Sequence, residues 1–175
     1  MLEVFYRARV GVIGLLLMSL NSCQSADQPV IVSDLRVGGK FPVLQMQPGS
    51  AAGEAGGHIL VDSLPAACRV VVYFDPECPH CAVAAERDAN VVAPEFPVMW
   101  VTESDGPRLR AFQAKFAGRL TISVVPGAKS ALKIRAVPVG FLVSRSDTVR
   151  VIFPHSGALP ANLLRPYCDE GVAGR

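Results

Sequence analysis

The chain has 175 residues, of which 50% are hydrophobic and 18% are charged, and its formal net charge is +2. This length suits one ordinary domain, and the hydrophobic content is sufficient for a packed core and argues against extensive disorder. The basic residues are scattered along the chain rather than clustered, so we expect no nucleic acid among its partners.

The N-terminal segment has the pattern of a secretory signal peptide. Arg7 and Arg9 precede an apolar run from Val10 to Leu20, and small residues follow this run. The run is shorter than the roughly 20 apolar residues of a relaxed membrane span, although an uncleaved anchor is the alternative. We therefore predict a signal peptide over residues 1–22, a tether over residues 23–37 and a periplasmic or other extracytoplasmic location.

Cys23 ends a short segment, Leu-Asn-Ser-Cys, that resembles the lipidation signal of bacterial lipoproteins. The shared features are a Leu three places before the Cys and a small residue directly before it, whereas Asn21 is unusual for such a signal. The resemblance implies that Cys23 is lipidated and anchors the protein to a membrane, with the choice of inner or outer membrane left open. Ordinary cleavage after Ser25, which would discard Cys23, is the alternative.

The rest of the chain alternates between predicted strands and helices. A weak strand is predicted over residues 40–44 and a loop over residues 48–57. A second short strand with a turn is predicted over residues 58–64. Residues 69–74 are β-branched or aromatic after Arg69, which indicates a strand buried on both faces. Helix formers follow from Pro79 to about Val92, with proline at a favourable first helical position.

Further along, the same alternation continues to the C-terminus. Asp105 is predicted to cap a helix that opens at Pro107. The predicted elements are a strand over 98–102, that helix to about 117, an extended segment over 121–125, a helical turn or two over 128–135, a hairpin of 137–143 with 148–153, and a last helix over 159–168. This order predicts an α/β layer structure.

A Cys-Pro-His-Cys motif, residues 78–81, lies at the first strand-to-helix junction. Cys78, at the helix N-terminus, is close to unpaired backbone N–H groups and to the positive end of the helix dipole, and both stabilise a thiolate. Cys81 follows within the first turn, near enough to form a disulfide. We predict that Cys78 attacks and that Cys81 resolves the mixed disulfide. His80 is predicted to stabilise the Cys78 thiolate further; an exposed turn histidine with little influence is the alternative.

A zinc site is another use of a CxxC pair. It needs four ligands at suitable spacing, and the sequence contains no second CxxC and no HxxxH. His58 and His155 stand alone, and we expect them to be surface or loop residues. We therefore expect neither a metal nor another cofactor.

Residues 74–81, Phe-Asp-Pro-Glu-Cys-Pro-His-Cys, followed by Val137 and Pro138 at the start of a strand, resemble the thioredoxin superfamily. The resemblance covers residues 38 to 168. It implies a thioredoxin-like fold with a central mixed β-sheet flanked by helices and an N-terminal extension, in a domain that we place over residues 38–175.

The resemblance also implies roles for Pro79, Val137 and Pro138. Pro138 corresponds to a cis proline that packs against the CxxC pair, and the backbone before it pairs with substrate chains like an added strand. Val137, Pro138 and Pro79 are therefore the expected substrate-binding residues. A trans proline that begins an edge strand is the alternative for Pro138.

Two features of the resemblance point in opposite directions. The extension over residues 38–64 is similar to that of membrane-tethered TlpA-like and ResA-like proteins, which are usually reductants that support cytochrome c maturation or oxidase assembly. The Cys-Pro-His-Cys motif is instead that of DsbA-type oxidases, so the direction of electron flow is left open. Thioredoxins carry a buried acid six residues before the first Cys, where this chain has Val72. Proton transfer to Cys81 therefore needs another route, through Glu77, Asp75 or water.

The five cysteines leave an odd one, and lipidation of Cys23 would account for it. With Cys78 and Cys81 paired, Cys68 and Cys168 remain. In a thioredoxin fold the C-terminal helix ends near the start of the central strand, so the resemblance allows a structural disulfide between these two. Two buried cysteines that never meet are the alternative.

The predicted function is that of an exported thiol:disulfide oxidoreductase. Its expected partners are cysteine-containing envelope proteins or apocytochrome-like substrates, together with a membrane electron-transfer partner. A non-catalytic thioredoxin-fold binding module or chaperone for cysteine-containing envelope proteins is the alternative. Copper delivery, as in Sco proteins, suits a CxxxC with a downstream His better, and a peroxidase would need a PxxxTxxC that the sequence lacks.

Overall fold

The computed structural model describes residues 31–45, 67–91, 96–158 and 161–168. The predicted signal peptide over residues 1–22, the lipidation of Cys23, the loop over 48–57, the strand over 58–64 and His58 all lie outside the described residues.

Strands and helices alternate along the described chain, and then a hairpin and a short terminal helix follow. The elements are β1 (Cys68–Tyr73), α1 (Pro79–Ala89), β2 (Val98–Thr102), α2 (Pro107–Lys115), β3 (Thr121–Val124), α3 (Ala128–Ala131), β4 (Val139–Ser144), β5 (Val149–Pro154) and α4 (Ala161–Leu164), with a 3₁₀ turn over Arg165–Tyr167.

The five strands form one mixed sheet in the order β3-β2-β1-β4-β5. β1, β2 and β3 run parallel, whereas β4 pairs antiparallel with both β1 and β5. β1 is the central strand, and all six of its residues are buried. The prediction of a strand buried on both faces, in a mixed sheet flanked by helices, is therefore confirmed.

Hydrophobic side chains form a core on each face of the sheet, because successive residues of a strand point to opposite faces. Val70 and Val72 belong to one core, which contains Trp100 together with Phe112 of α2. The other core contains Val71, Tyr73 and other apolar side chains, among them Leu132, Phe141 and Val149. Aromatic rings dominate the first core: the Phe74 ring lies 5.3 Å from Trp100 and 4.8 Å from Phe112, at separations typical of favourable aromatic pairs.

The start of α2 differs from the prediction. Asp105 was expected to cap the helix, but the N-cap is Gly106, with φ 139° and no side-chain capping hydrogen bond. Pro107 explains the difference, because a proline disfavours helical geometry in the residue before it and its own fixed φ suits the first helical position. The helix also ends at Lys115, earlier than the expected residue 117.

The last predicted helix is shorter and mixed in type. Among the described residues, the α-helical part is Ala161–Leu164, and the 3₁₀ turn takes over at Arg165. Pro166 lies at the start of this turn, and a proline cannot donate the backbone hydrogen bond that a continuing α-helix needs.

The segment before β1 packs on the sheet without forming a strand. Lys40 makes only an isolated bridge to Thr148, so the predicted strand over residues 40–44 is wrong. Phe41 and Leu44 are nevertheless buried, at 7% and 2% exposure. The apolar side chains therefore bury themselves against the second core, while the backbone bonds at a few points to the β4–β5 turn and the start of β5.

Residues 31–37, which the sequence assigns to the tether, also lie against this domain. Val32 is 5% exposed and belongs to the second core, and Ser33 bridges to Ile134. The compact unit that contains the sheet begins at Ile31. Within the described ranges, no helix has both the length and the apolar character that crossing a membrane requires.

Candidate active site

A tight turn connects β1 to α1 and places Cys78 at the helix N-terminus. The Cys78 N–H donates to the Asp75 carbonyl oxygen over 3.0 Å, and the Glu77 N–H donates to Asp75 Oδ1 over 2.9 Å. Cys78 is the N-cap residue, and Pro79 occupies the first helical position, where a missing N–H costs nothing. Because β1 to β3 are parallel, this junction lies at the edge of the sheet where their carboxyl ends meet.

The two cysteines of the motif differ in exposure. Both are free, but Cys78 is half-buried and Cys81 is fully buried, at 0% exposure. Burial raises the pKa of the Cys81 thiol well above its ordinary value; a backbone hydrogen bond from Asp75 offsets part of this, and the Cys78 thiol raises it further. Cys81 therefore stays protonated at neutral pH, while Cys78 is accessible to a reaction partner.

The residues around the cis proline lie beside Cys78. The Val137–Pro138 peptide bond is cis, and Cys78 Sγ lies 4.0 Å from the Val137 carbonyl oxygen. Val137 is half-buried and Pro138 is buried, whereas Pro79, next to Cys78 in the chain, is exposed. The structure thus places Val137 and the cis peptide bond that follows it beside the Cys78 thiol.

The remaining polar residues of the motif face solvent. His80 is exposed in the first turn of α1. Asp75 and Glu77 are exposed too, and Glu77 Oε2 pairs with Arg108 Nη1 at 2.8 Å. Of these two acids, Asp75 is the one whose backbone and charge act on Cys81. Val72, at the position where thioredoxins carry an acid, is fully buried.

Tyr73, at the end of β1, was not singled out from the sequence. Burial raises its pKa to about 12, and the charges of Glu103, Asp75 and Cys81 contribute in the same direction. The phenol therefore keeps its proton at neutral pH. Only its position, six residues before the first residue of α1, could have marked it.

A buried polar cluster under α1 was also missed. His155 was expected at the surface or in a loop; it does follow β5 in a loop, but it is 3% exposed, so the surface expectation is wrong. Its Nε2 lies 2.8 Å from Asp88 Oδ2, which also accepts from Trp100 Nε1 over 3.1 Å. Asp88 could have been noticed, because it shares the inner face of α1 with Cys81, Ala84 and Ala85.

Cys68 and Cys168 form a disulfide at the opposite end of the sheet. Their Cα atoms are 5.5 Å apart across a sequence separation of 100 residues. Cys68 begins β1, and Cys168 follows the 3₁₀ turn, so the bond ties the C-terminal elements to the central strand. In the part of the chain that the structure describes, no group of three or more His, Cys, Asp or Glu side chains could hold a metal ion.

Comparison with known proteins separates sequence from fold. No protein-family model matches the sequence, and no curated protein matches it. Solved structures do match: a thioredoxin-like superfamily protein superposes with a TM-score of 0.53 at 19% identity, over 78% of this chain and 97% of the other. The fold is thioredoxin-like.

Other structures with the thioredoxin-like fold match equally well. A candidate thiol:disulfide interchange protein DsbE from Chlorobium tepidum is 18% identical with a TM-score of 0.53, over 76% of this chain and 95% of the other. A candidate protein disulfide isomerase from Bacteroides thetaiotaomicron is 14% identical with a TM-score of 0.55, over 82% and 94% of the two chains. Identities this low establish the thioredoxin-like fold alone.

Proposed function

We propose that this protein is an exported thiol:disulfide oxidoreductase that exchanges disulfides with protein thiols through Cys78 and Cys81. One observation carries the proposal: an accessible cysteine at a helix N-terminus has a buried, protonated cysteine within the next turn. The Val137 carbonyl, 4.0 Å from Cys78 Sγ, offers a backbone edge to a substrate chain. Two neighbours of the same fold are described as candidate thiol:disulfide proteins, which is consistent with this role.

The chemistry needs only the two thiols and a substrate disulfide. The Cys78 thiolate attacks one sulfur of the substrate, so a mixed disulfide forms and one substrate thiolate leaves. Cys81 then loses its proton and attacks the Cys78 sulfur, which forms the Cys78–Cys81 disulfide and releases the second substrate thiolate. Two electrons pass to the substrate, and the reverse sequence oxidises a dithiol. The proton of Cys81 leaves through water or Asp75, since Val72 cannot accept it.

A non-catalytic binding module would share the fold and the substrate edge. It would have no use for two thiols of such different exposure at a helix N-terminus. The unequal pair therefore favours the oxidoreductase.

The direction of electron flow depends on the reduction potential of the Cys78–Cys81 couple. We expect His80, which lies between the two cysteines in the sequence and is exposed, to influence this potential. Equilibration with glutathione buffers measures this potential. A potential of about −120 mV would indicate an oxidase, and one of about −270 mV would indicate a reductant.

Export and membrane attachment belong to the same proposal. Residues 1–22 would be removed as a signal peptide, and lipidation of Cys23 would hold the domain at the periplasmic side of a membrane. The substrates would be cysteine-containing envelope proteins or apocytochromes, with a membrane protein as electron partner. Radioactive fatty-acid labelling of the full chain tests the anchor; label that persists in a Cys23→Ser variant, or no label at all, would refute it.

Insulin reduction by dithiothreitol tests the enzymatic claim. The protein should accelerate the precipitation of insulin chains, and Cys78→Ser should abolish the acceleration because the attacking thiolate is gone. A Cys68→Ala/Cys168→Ala double variant is the control; it loses two cysteines outside the motif but should stay active, since that disulfide lies at the other end of β1. No acceleration by the parent protein would favour the binding module.

A further inference from the structure

Asp88 collects three hydrogen bonds inside the protein. Its Oδ2 accepts from Trp100 Nε1 and lies 2.8 Å from His155 Nε2, and its Oδ1 accepts from the Ala158 N–H over 2.8 Å. The side chains of Asp88 and His155 are only 5% and 0% exposed. Indole and backbone nitrogens can only donate, so Asp88 acts as an acceptor at both oxygens. Because Asp88 accepts at both oxygens, His155 donates to it from Nε2–H, and Nδ1 finds no partner among the described residues.

His155 connects this carboxylate to the cis-proline turn. Its backbone N–H donates to the Pro138 carbonyl oxygen over 3.0 Å. Pro138 directly follows Val137, whose carbonyl oxygen lies 4.0 Å from Cys78 Sγ. We call the two bonds, His155 Nε2–Asp88 Oδ2 and His155 N–Pro138 O, the Asp88–His155 brace.

The brace closes a ring of contacts around the motif. From Cys78 the ring follows α1 for about three turns to Asp88, crosses to His155, passes to Pro138 and returns through Val137 to the thiol. The helix that carries the attacking cysteine and the strand edge beside it are thereby fixed to each other.

The loop that holds His155 is fastened to α1 at further points. Arg87 Nη1 donates to the Ser156 carbonyl oxygen over 3.1 Å, and Gly157 lies directly against the backbone of Ala84. The rings of Trp100 and Phe153 lie 5.5 Å and 5.9 Å from the imidazole of His155. A shift of the loop or of the imidazole would therefore break its contacts with α1 and with the neighbouring rings.

We propose that Asp88 and His155 are positioning residues for disulfide exchange with peptide substrates. The brace holds the Val137 edge at the place from which a bound chain presents its sulfur to Cys78. The inference rests on the proposed function, and it concerns substrates that dock on the edge. A small reagent that reaches Cys78 directly does not use that edge and should not depend on the brace.

The test compares two reactions of the same thiol. His155→Leu removes the ring donor and keeps the backbone N–H. Its exchange with a disulfide-linked dimer of a single-cysteine peptide should slow by about tenfold or more, because loss of positioning costs such factors. Alkylation of Cys78 by iodoacetamide should change by less than about twofold. A merely structural role would change both rates alike or neither, and either outcome would overturn the proposal.

Two further variants sharpen the comparison. His155→Gln keeps a side-chain N–H donor and should restore peptide exchange to within about threefold of the parent. Asp147→Asn is the control, because it removes the charge from a different ion pair, the partly buried one with Arg69 at the start of β1, and should leave both rates unchanged. If His155→Leu does not fold by circular dichroism, Asp88→Asn, of nearly identical shape, takes its place with the same expected split between the two reactions.

Amide hydrogen exchange gives a readout that needs no turnover. The residue-155 amide should be protected in the parent protein and should exchange about tenfold or more faster in His155→Leu, because the brace no longer holds it on Pro138. Unchanged protection of this amide in His155→Leu would overturn the proposed role of the brace, even if the rate of disulfide exchange with the peptide dimer fell. No peptide exchange by the parent would instead defeat the proposed function, so the two failures are distinguishable.

Discussion

At the scale of single residues, burial gives the two cysteines of the motif different roles. Cys78 reaches solvent because it caps α1, and Cys81 does not because it lies on the inner face of the helix with Ala84 and Ala85. Burial removes solvation from the charged form of a thiol, so the raised pKa of Cys81 follows from its position. The resolving thiol is thus kept inactive until a mixed disulfide forms beside it.

This division predicts selective alkylation. Iodoacetamide at neutral pH should modify Cys78 of the dithiol form about tenfold or more faster than Cys81, since a thiol with a raised pKa holds very little thiolate there. Mass spectrometry of proteolytic fragments measures both sites. In denaturant the difference should vanish. Equal modification in the folded protein would contradict the assigned roles.

Sequence patterns predicted the motif, and the resemblance pointed to Val137 and Pro138 beside it, but neither indicated the buried polar residues under α1. The strand–CxxC–helix junction is a local feature, so its residue types could be interpreted from spacing alone. His155 could not be placed, because its burial depends on a bond to Asp88 that spans 67 residues. Tyr73 likewise acquires its perturbed pKa from tertiary burial, which no local pattern reports.

At the scale of secondary-structure elements, α1 serves as the platform for both the motif and the loop after β5. Gly157 lies in that loop with φ +79°, where a Cβ would overlap the Ala84 carbonyl oxygen and lie 2.7 Å from Arg87 Cβ. The loop therefore approaches the helix as closely as it does only because residue 157 has no side chain.

Gly157→Ala should consequently destabilise more than strain at φ alone explains. Gly118 provides the control, with φ +71° and no atom within 4 Å of its Cβ position. We expect Gly118→Ala to lower the free energy of unfolding by about 1 kcal/mol, and Gly157→Ala by at least about 1 kcal/mol more. Urea unfolding measures both. Equal losses would show that the loop does not press on α1.

The elements themselves were predicted best where packing and local preference agree. β2 has the expected bounds, and β1 is shifted by one residue, because runs of β-branched and aromatic residues suit a buried strand. Residues 40–44, with Pro42 among them, have a weaker preference for strand and bond to the sheet at isolated points only, so they form no strand. The cap of α2 was wrong because Pro107 governs the residue before it more strongly than Asp105 attracts a helix start.

At the scale of the whole molecule, the Cys68–Cys168 disulfide joins the start of the central strand to the C-terminal elements. A short helix, α4, and the 3₁₀ turn lie directly before Cys168. Among the described residues of these two elements, Leu164 alone belongs to the first core, which also contains Cys168. The covalent bond therefore supplements a small hydrophobic contact.

Removal of this bond should be costly for stability. Closing a loop of about 100 residues stabilises by up to about 4.7 kcal/mol in the chain-entropy model, and measured effects are commonly about 2–4 kcal/mol. We expect Cys68→Ala/Cys168→Ala to lower the free energy of unfolding by the latter amount in urea. The comparison belongs in a Cys78→Ser/Cys81→Ser background, which prevents disulfide exchange during unfolding. A loss below about 1 kcal/mol would show that the C-terminal segment is held without the bond.

The fold class itself was predictable, because the order of strands and helices indicates an α/β layer structure and the resemblance of residues 74–81 and Pro138 to the thioredoxin superfamily implies a thioredoxin-like sheet. The packing of residues 31–37 was harder to predict. Residues 31–37 read as a polar tether, yet Val32 and Leu35 occupy apolar sites in the second core, which also contains residues of α3 and β5. Such sites exist only after the sheet has formed.

Capture of a mixed disulfide tests the central claim most directly. In Cys81→Ser the Cys78 thiolate can attack a substrate but cannot be resolved, so incubation with a disulfide-linked dimer of a single-cysteine peptide should leave one peptide attached to Cys78 and release the other. Intact mass and fragment mapping measure the adduct, and Cys78→Ser, treated alike, should carry none. An adduct absent from Cys81→Ser, or present equally in Cys78→Ser, would contradict the assignment of Cys78 as the attacking thiol.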